Sequence, residues 1–225
     1  MKIITVKHKI TGNDNANEYF EKLEKAAELH PDVIVGPDYG ITSFNHDGTI
    51  NFSDGPNYER RLAKISSYSP ETLIVPGTWP ILVGDSGMSH AAPIYRGGKQ
   101  IANFLKQTNV ENSGLAEDNG LVWQRGSYDG NSIMHQGKKI AVEICSDHGK
   151  QPVAKDTFLE LILARDTRAG FYVGAANDNF TRYAIVNDSN KPMVEGFKYD
   201  PKSHPKMSFV SEQKLNSFLT QFILK

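Results

Sequence analysis

Two short apolar runs constrain the fold of this chain most strongly. Residues 33–35 (Val-Ile-Val) and 72–75 (Thr-Leu-Ile-Val) lack polar alternation, and each run ends at a Gly/Pro pair. Continuous apolar runs of this length are typical of strands buried on both faces of a sheet that helices cover. Apolar residues at helical spacing precede each run, at 16–30 and 57–68. Residues 1–77 therefore predict two β-α repeats of an α/β fold.

The rest of the chain predicts mainly antiparallel structure. The Arg-Gly-Gly-Lys sequence at 96–99 predicts a tight hairpin, and a second hairpin turns at Gln136-Gly137. Residues 107–130 are rich in Asn, Gly, Ser and Asp, which is typical of a long loop. Further strands are predicted at 139–144, 158–163, 171–176, 183–188 and 193–199, and a last helix at 211–224. No linker or repeat divides the chain, so we expect a single domain over residues 1–225.

Charge and hydropathy exclude several classes of protein. Lys and Arg number 25 and Asp and Glu 26, so the net charge of −1 gives no electrostatic reason to expect nucleic acid or an acidic membrane surface as a partner. No apolar run approaches the length of about 18 residues that a membrane span requires, so none is expected. Residues 1–8 do not resemble a signal peptide, and the expected location is therefore the cytoplasm.

Common cofactor and metal motifs are missing from the sequence. It contains no G-x-G-x-x-G, no G-x-x-x-x-G-K-[ST] and no G-x-S-x-G. Cys145 is the single cysteine, so it can form neither an internal disulfide nor a multi-cysteine zinc site. Cys145 and His148 supply one pair of metal ligands, and no second pair of histidines occurs at ligand spacing. We therefore expect neither a cofactor nor a metal ion.

Three residues at strand ends form a candidate catalytic set. Asp38, Lys106 and Cys145 each follow a predicted strand. A carboxylate can take the thiol proton, the thiolate can attack a carbonyl or nitrile carbon, and an ammonium can stabilise the oxyanion. Taken singly, each residue also has a structural explanation: Asp38 as a turn cap, Lys106 as a solvated loop residue and Cys145 as an inert apolar residue. A dyad of Cys145 and His148 is disfavoured, because residues three apart around a strand end rarely face one another.

Several segments occur in an order that is known from one superfamily. Residues 32–39 (Asp-Val-Ile-Val-Gly-Pro-Asp-Tyr) resemble its strand ending in Pro-Glu-Tyr, 73–78 its second-repeat strand, and 91–106 its hairpin leading to a lysine. Residues 138–147 resemble its nucleophile strand ending in Cys-x-Asp, and 171–177 a strand ending in Ala-Asn. On these segments the chain resembles the nitrilase, or carbon–nitrogen hydrolase, superfamily from about residue 1 to 200.

The resemblance implies a fold, a reaction and three catalytic roles. The implied fold class is α/β (α+β layered), a four-layer α-β-β-α sandwich of nitrilase type. Family members hydrolyse amides or carbamoyl compounds, less often nitriles, through a thioester acyl-enzyme and without a cofactor. By position, Asp38 is implied as the general base, Lys106 as the oxyanion stabiliser and Cys145 as the nucleophile. The backbone N–H of Ser146 would assist the oxyanion.

The resemblance also implies further site residues and partners. Many members have a second acid near the lysine, and Glu117 is the nearest match by position. Tyr39, Trp79, Ser146 and His148 lie beside the catalytic segments and are candidate substrate-binding residues. The implied partner is a small-molecule amide, and a homodimer is the candidate assembly.

Two features depart from the family pattern. Asp38 stands where the family has Glu, and the missing methylene withdraws the carboxylate by about 1 Å, which can cost about a hundredfold in rate. The second is length: 158–163 is expected to lead almost directly into 171–176, so that a helix of the family is missing. Two other functions therefore stay open, a catalytically inactive nitrilase-like binding or interaction protein and an acyl transferase that uses the same triad.

Overall fold

The computed structural model describes residues 1–8, 16–42, 45, 49–108, 112–126, 131–147, 156–164, 182–189, 194–200, 202 and 207–225. Within these ranges it has the α-helices α1 (Ala16–Ala27), α2 (Gly55–Tyr68) and α3 (Asn112–Asp118). The predicted helices of both β-α repeats are confirmed as α1 and α2. None of the helices in the described part of the chain is long and apolar enough to cross a membrane.

The first sheet is built around the two β-α repeats. Its central strands β1 (Lys2–Val6), β2 (Val33–Val35) and β3 (Leu73–Val75) are parallel neighbours. The remaining strands of this sheet are β4 (Trp79–Val83), β5 (Gly87–Arg96), β6 (Lys99–Leu105), β7 (Val122–Trp123), β14 (Glu212–Lys214) and β15 (Leu219–Ile223). Their order is β14-β15-β1-β2-β3-β5-β4, with β6 and β7 also paired with β5. The hairpin predicted around 96–99 is confirmed as β5 and β6.

The second sheet contains the strand that leads to the cysteine. Its strands are β8 (Ser132–His135), β9 (Lys138–Ile144), β10 (Thr157–Ala164), β11 (Arg182–Asp188), β12 (Val194–Tyr199) and β13 (Met207–Phe209), in the order β13-β12-β11-β10-β9-β8. Strands β9, β10 and β11 are parallel, whereas β8 pairs with β9 as the predicted second hairpin.

Alternating side chains place each sheet between two apolar layers. On β2, Val33 and Val35 join a buried cluster shared with the second sheet, whereas Ile34 joins a second cluster with α1 and α2. On β10, Leu161 and Leu163 face the first sheet, and Ile162 lies in a third buried cluster. Each fully buried side chain of this kind contributes about 1.5–3 kcal/mol. The predicted layered α/β fold is confirmed, and it explains why these runs lack polar alternation.

A buried asparagine connects the two sheets at one end. Asn187, on β11, is fully buried, and its Nδ2 donates hydrogen bonds to the carbonyl oxygens of Val6 and Val35, both at 3.0 Å. Val6 and Val35 are the last residues of β1 and β2. The carboxyl ends of three strands from both sheets therefore meet at this edge of the sandwich.

The prediction of a last helix at 211–224 is wrong. This segment forms β14 and β15, and β15 pairs antiparallel with β1, from Lys2 opposite Ile223 to Val6 opposite Leu219. The spacing of Leu219 and Phe222 fits a helix, but the edge of β1 supplies backbone partners that a helix could not use. Pairing with a distant strand decided the conformation, as it commonly overrides local propensity.

One prediction for a connecting segment needs correction, and another lies outside the described residues. The long loop predicted at 107–130 contains α3 and β7. The strand predicted at 171–176 lies outside the described residues. The expectation that 158–163 leads almost directly into 171–176 is likewise not tested, because residues 165–181 lie outside the described part of the chain.

Candidate active site

Asp38 lies in the turn that follows β2, and its side chain is fully buried. Thr78 follows β3, the parallel neighbour of β2, and Thr78 Oγ1 donates a hydrogen bond to Asp38 Oδ1 at 2.5 Å. The backbone N–H of Tyr39 donates to the same hydroxyl oxygen at 2.7 Å. Gly77 allows this close approach, because a Cβ on it would lie 2.3 Å from the carbonyl oxygen of Pro37. The turns after two adjacent strands therefore fix the carboxylate.

His90 completes this polar cluster from β5. Its side chain is fully buried, and Nε2 lies 2.7 Å from Thr78 Oγ1 and 3.7 Å from Asp38 Oδ1. The imidazole also packs against Tyr39, with ring centroids 4.2 Å apart. Two side chains from two other segments, Thr78 and His90, thus lie beside one carboxylate oxygen of Asp38.

Lys106 directly follows β6 and is only 1% exposed. Its backbone N–H donates to the carbonyl oxygen of His90 at 2.7 Å, and its own carbonyl accepts from the N–H of Gly126 at 3.0 Å. Lysine is almost never buried to this degree unless it is paired, so its burial is unusual for a loop residue. The explanation of Lys106 as a solvated loop residue is therefore wrong.

Cys145 directly follows β9, is 3% exposed and begins the short 3₁₀ turn Cys145–Asp147. Its φ of +48° is in the left-handed region. For a residue other than glycine this conformation costs on the order of 1–3 kcal/mol, and such strain is concentrated at functional sites. The chain therefore turns away from β9 at Cys145, the candidate nucleophile.

Asp147 fixes the turn of Cys145 against the segment of Lys106. The carboxylate of Asp147 is buried, and it accepts hydrogen bonds from the backbone N–H of Gln107 at 3.0 Å and of Thr108 at 2.8 Å. These two donors follow Lys106 directly in the chain. A carboxylate of the second sheet is thereby hydrogen-bonded to the loop that carries the lysine of the first sheet.

Direct contacts therefore link the three candidate catalytic segments. From Asp38 the chain of contacts runs through Thr78 to His90, and from the His90 carbonyl to Lys106. From the residues after Lys106 it continues through Asp147 to the turn of Cys145. A carboxylate, an ammonium and a thiol on adjoining segments can together perform acyl transfer.

The other predicted site residues differ in where they lie. Tyr39 is buried against His90, and Trp79 is buried beside Tyr58, with ring centroids 6.1 Å apart. Trp79 lines a pocket of about 150 Å³ together with Ile41, Thr42, Ile50, Phe52, Tyr58 and Ile81, a lining that does not include the three candidate catalytic residues. Glu117 is exposed on α3. The side chain of Ser146 and the whole of His148 lie outside the described residues.

Sequence reasoning did not assign a role to three residues that the structure places at the site. Thr78 ends the segment that resembles the second-repeat strand, and Asp147 is the acid of Cys-x-Asp. Both residues therefore lie in motifs of the resemblance, which assigned no role to either. His90 had no such signal, because it lies within the strand that enters the first hairpin. Its contact with Asp38 depends on the pairing of β3 with β5, which local sequence does not reveal.

No protein-family model and no curated protein matches this chain. Solved structures do match it, and they show that the chain has the fold of a nitrilase-superfamily amidase. The NitN amidase from Nesterenkonia sp. AN1 has a TM-score of 0.69 at 13% identity, over 100% of this chain and 93% of that chain. A variant of that amidase with a cysteine replaced by serine has a TM-score of 0.71 at 13% identity, over 100% and 92% of the two chains.

Other structures of the Nesterenkonia amidase show a cysteine and small amides. A variant with a cysteine replaced by alanine, in complex with butyramide, has a TM-score of 0.69 at 12% identity, over 100% of this chain and 90% of that chain. In a structure of another variant, with a glutamate replaced by glutamine, acrylamide has added to the active-site cysteine. At this level of identity the likeness establishes the fold, and the sandwich that the sequence resemblance implied is confirmed.

Proposed function

We propose that this chain is a cysteine-dependent amidohydrolase that cleaves the C–N bond of a small amide or carbamoyl compound through a thioester, with a nitrile as the less favoured substrate. The observation that carries the proposal is the continuous set of contacts joining the segments of Asp38, Lys106 and Cys145. The fold supports it, because variants of an amidase with the same fold carry, on the active-site cysteine, the Michael adduct of acrylamide or the acetamide moiety of fluoroacetamide.

In the proposed first half-reaction, Asp38 accepts the proton of the Cys145 thiol, and the sulfur attacks the amide carbon. The resulting oxyanion is stabilised by the Lys106 ammonium and the backbone N–H of Ser146. When the C–N bond breaks, the protonated Asp38 returns its proton to the leaving nitrogen. Ammonia, or an amine, leaves, and the acyl group remains on Cys145 as a thioester.

In the second half-reaction, the ionised Asp38 takes a proton from water, and the hydroxide attacks the thioester carbon. The same ammonium and N–H groups stabilise the second oxyanion. The C–S bond breaks, the sulfur regains the proton from Asp38, and the carboxylic acid is released. One group thus acts as base and then as acid in each half-reaction, as microscopic reversibility allows.

The burial of polar groups argues against an inactive binding protein. Asp38, Thr78 and His90 are each fully buried, and Lys106 is 1% exposed. Burying such groups is costly unless their hydrogen bonds are satisfied in a specific geometry. A chain with no use for a base and an ammonium would gain stability from apolar residues at these positions, so their retention favours catalysis.

Ammonia release from a panel of small substrates tests the proposal. Butyramide, acetamide, a carbamoyl amine and a short nitrile are incubated with wild type, Cys145→Ala and Lys106→Met. We expect release from at least one amide or carbamoyl compound by wild type and a loss of about a thousandfold or more in Cys145→Ala, because the nucleophile is removed. Asp85→Asn, an exposed carboxylate in the turn between β4 and β5, is the control and should retain full activity.

The outcomes separate the open alternatives. Equal turnover in wild type and Cys145→Ala would refute a cysteine mechanism. An amide consumed without release of the free acid, but with transfer of its acyl group to hydroxylamine, would favour an acyl transferase. Silence on every substrate, together with an unreactive Cys145 thiol, would favour the binding protein.

We further propose that residues 1–225 work as one domain. Asp38 and Lys106 follow strands of the first sheet, whereas Cys145 follows a strand of the second, so neither sheet alone carries the full set. The homodimer that the resemblance implies is tested by light scattering, where a mass near 25.0 kDa would refute it.

A further inference from the structure

We propose that Thr78 and His90 are positioning residues that make an aspartate, rather than a glutamate, the working base at position 38. This inference rests on the proposed function and names the residues that complete its base. Position 38 is where the chain departs from the catalytic pattern of the superfamily that it resembles. Asp38 is one methylene shorter than the glutamate of that pattern.

The first argument concerns the hydrogen bonds of the Thr78 hydroxyl. Its hydroxyl oxygen contacts Asp38 Oδ1 at 2.5 Å, the N–H of Tyr39 at 2.7 Å and Nε2 of His90 at 2.7 Å. A hydroxyl has one proton to donate and two lone pairs to accept with. An ionised carboxylate can only accept, so the Thr78 proton goes to Asp38.

The remaining two contacts use the two lone pairs of Thr78. The N–H of Tyr39 can only donate, so it takes one of them. The other accepts a hydrogen bond from His90, which therefore holds a proton on Nε2. Every capacity of the hydroxyl is used, so Thr78 cannot rotate to another partner without losing a bond. The carboxylate is thereby held through Oδ1, and the proton transfers of the proposed reaction take place at Oδ2.

The second argument is the space around the carboxylate. Asp38, Thr78 and His90 are all fully buried, and His90 packs against Tyr39. A glutamate at position 38 would have to fit an additional methylene into this packed site and would displace its carboxylate from Thr78. The short side chain and its two supporting residues are therefore a matched set.

The third argument is that His90 also contacts the lysine segment. The carbonyl oxygen of His90 accepts the backbone N–H of Lys106 at 2.7 Å, while its imidazole lies 3.7 Å from Asp38. One residue thus sets the position of both the base and the oxyanion stabiliser. A displacement of about 1 Å in such an arrangement can cost about a hundredfold in rate.

Matched pairs of variants test the role of each side chain. Thr78→Ser keeps the hydroxyl and Thr78→Val removes it, whereas His90→Gln keeps an N–H donor and His90→Phe keeps a ring without one. Two measurements are made for each variant: the kinetics of ammonia release, which give kcat and KM, and the rate of alkylation by iodoacetamide at pH 7.5. Cys145 is the single cysteine, so the alkylation rate reports its activation by the base directly.

We expect Thr78→Val and His90→Phe to lower kcat and the alkylation rate by about 10- to 100-fold with little change in KM, because each loses a hydrogen bond that orients a charged group. Thr78→Ser and His90→Gln should stay within about threefold of wild type. Asp38→Glu should lower both quantities rather than raise them. Thr5→Val, which removes a buried hydroxyl that donates to Thr220, is the matched control and should leave both unchanged.

Three results would overturn the proposal: an unchanged alkylation rate in Thr78→Val, an equal loss in Thr78→Ser and Thr78→Val, or faster reaction in Asp38→Glu. Thermal unfolding of every variant identifies any that fail to fold. If His90→Phe does not fold, the comparison of Thr78→Ser with Thr78→Val still tests the proposal. Failure of the proposed function is distinguishable, because it would remove ammonia release from wild type. The alkylation rates would then still decide whether Thr78 and His90 control the base.

Discussion

The hydrogen bonds of Asp147 give the most direct prediction about how the site is assembled. Each carboxylate oxygen of Asp147 accepts one backbone N–H, from Gln107 at 3.0 Å and from Thr108 at 2.8 Å, and the residue is 3% exposed. In Asp147→Asn an NH₂ group replaces one of these oxygens and faces an N–H donor. One charge-assisted hydrogen bond is lost, which lowers the free energy of unfolding by about 1.5–3 kcal/mol.

The same substitution should also slow the reaction. Because Asp147 holds the turn of Cys145 against the segment after Lys106, its loss lets the nucleophile and the lysine move apart, and about 1 Å of displacement can cost about a hundredfold in kcat/KM. Asp147→Ala removes both acceptors, and its loss of stability should be roughly twice that of Asp147→Asn.

Urea unfolding followed by tryptophan fluorescence measures the stability, and iodoacetamide alkylation with ammonia release measures the site. Asp85→Asn, an exposed carboxylate, is the control for the change of charge and should be neutral. A variant Asp147→Asn that unfolds within about 0.5 kcal/mol of wild type, the usual range for surface substitutions, and reacts at the same rate would refute this account of the site.

Two further predictions concern the stability of the fold outside the candidate site. Gly36→Ala would place a Cβ 1.8 Å from Tyr19 Oη and 2.3 Å from the carbonyl oxygen of Pro76. Urea unfolding should therefore show a free energy of unfolding lower by about 3 kcal/mol or more. The control Gly114→Ala, on exposed α3, should be neutral or stabilising. Burial lowers the pKa of His135 below its ordinary value of 6.5. The unfolded chain therefore binds this proton at higher pH than the folded one, so the stability that the neutral imidazole contributes above pH 6.5 is lost as the pH falls through the folded-state pKa. Wild type should lose more stability than His135→Gln between pH 7.5 and 5, and parallel stability curves would contradict this.

The sequence predicts the parts of the fold that depend on local pattern. The apolar runs that became β2 and β3 are short and continuous, because side chains on both faces are buried between layers. The Gly-Gly turn after β5 needs positive φ at Gly97 and Gly98, which glycine adopts readily, so the Arg-Gly-Gly-Lys sequence between two strand-like segments predicts it. Asp38, Lys106 and Cys145 each follow a predicted strand, and their order is the order that the resemblance implies.

Pairings between distant residues could not be predicted. The last segment has a pattern that fits a helix or a strand, and only the exposed edge of β1 selects the strand β15. In the same way, the sequence places Asp38, Thr78 and His90 at strand ends or within a strand, but their contact requires the order β2-β3-β5 in the sheet. Local sequence contains no information about that order.

The division of the site between two sheets explains which contacts matter for its geometry. Apolar packing between the sheets is non-directional, so it fixes their separation but leaves their relative position along the strands weakly determined. Directional contacts between the sheets supply that constraint: Asn187 donates to Val6 and Val35, and Asp147 accepts from the residues after Lys106. Truncating an apolar residue between the sheets should therefore lower stability with little effect on the alkylation rate of Cys145. Removing one of these polar contacts should change both quantities, because it alters where the nucleophile of one sheet lies relative to the base and lysine of the other.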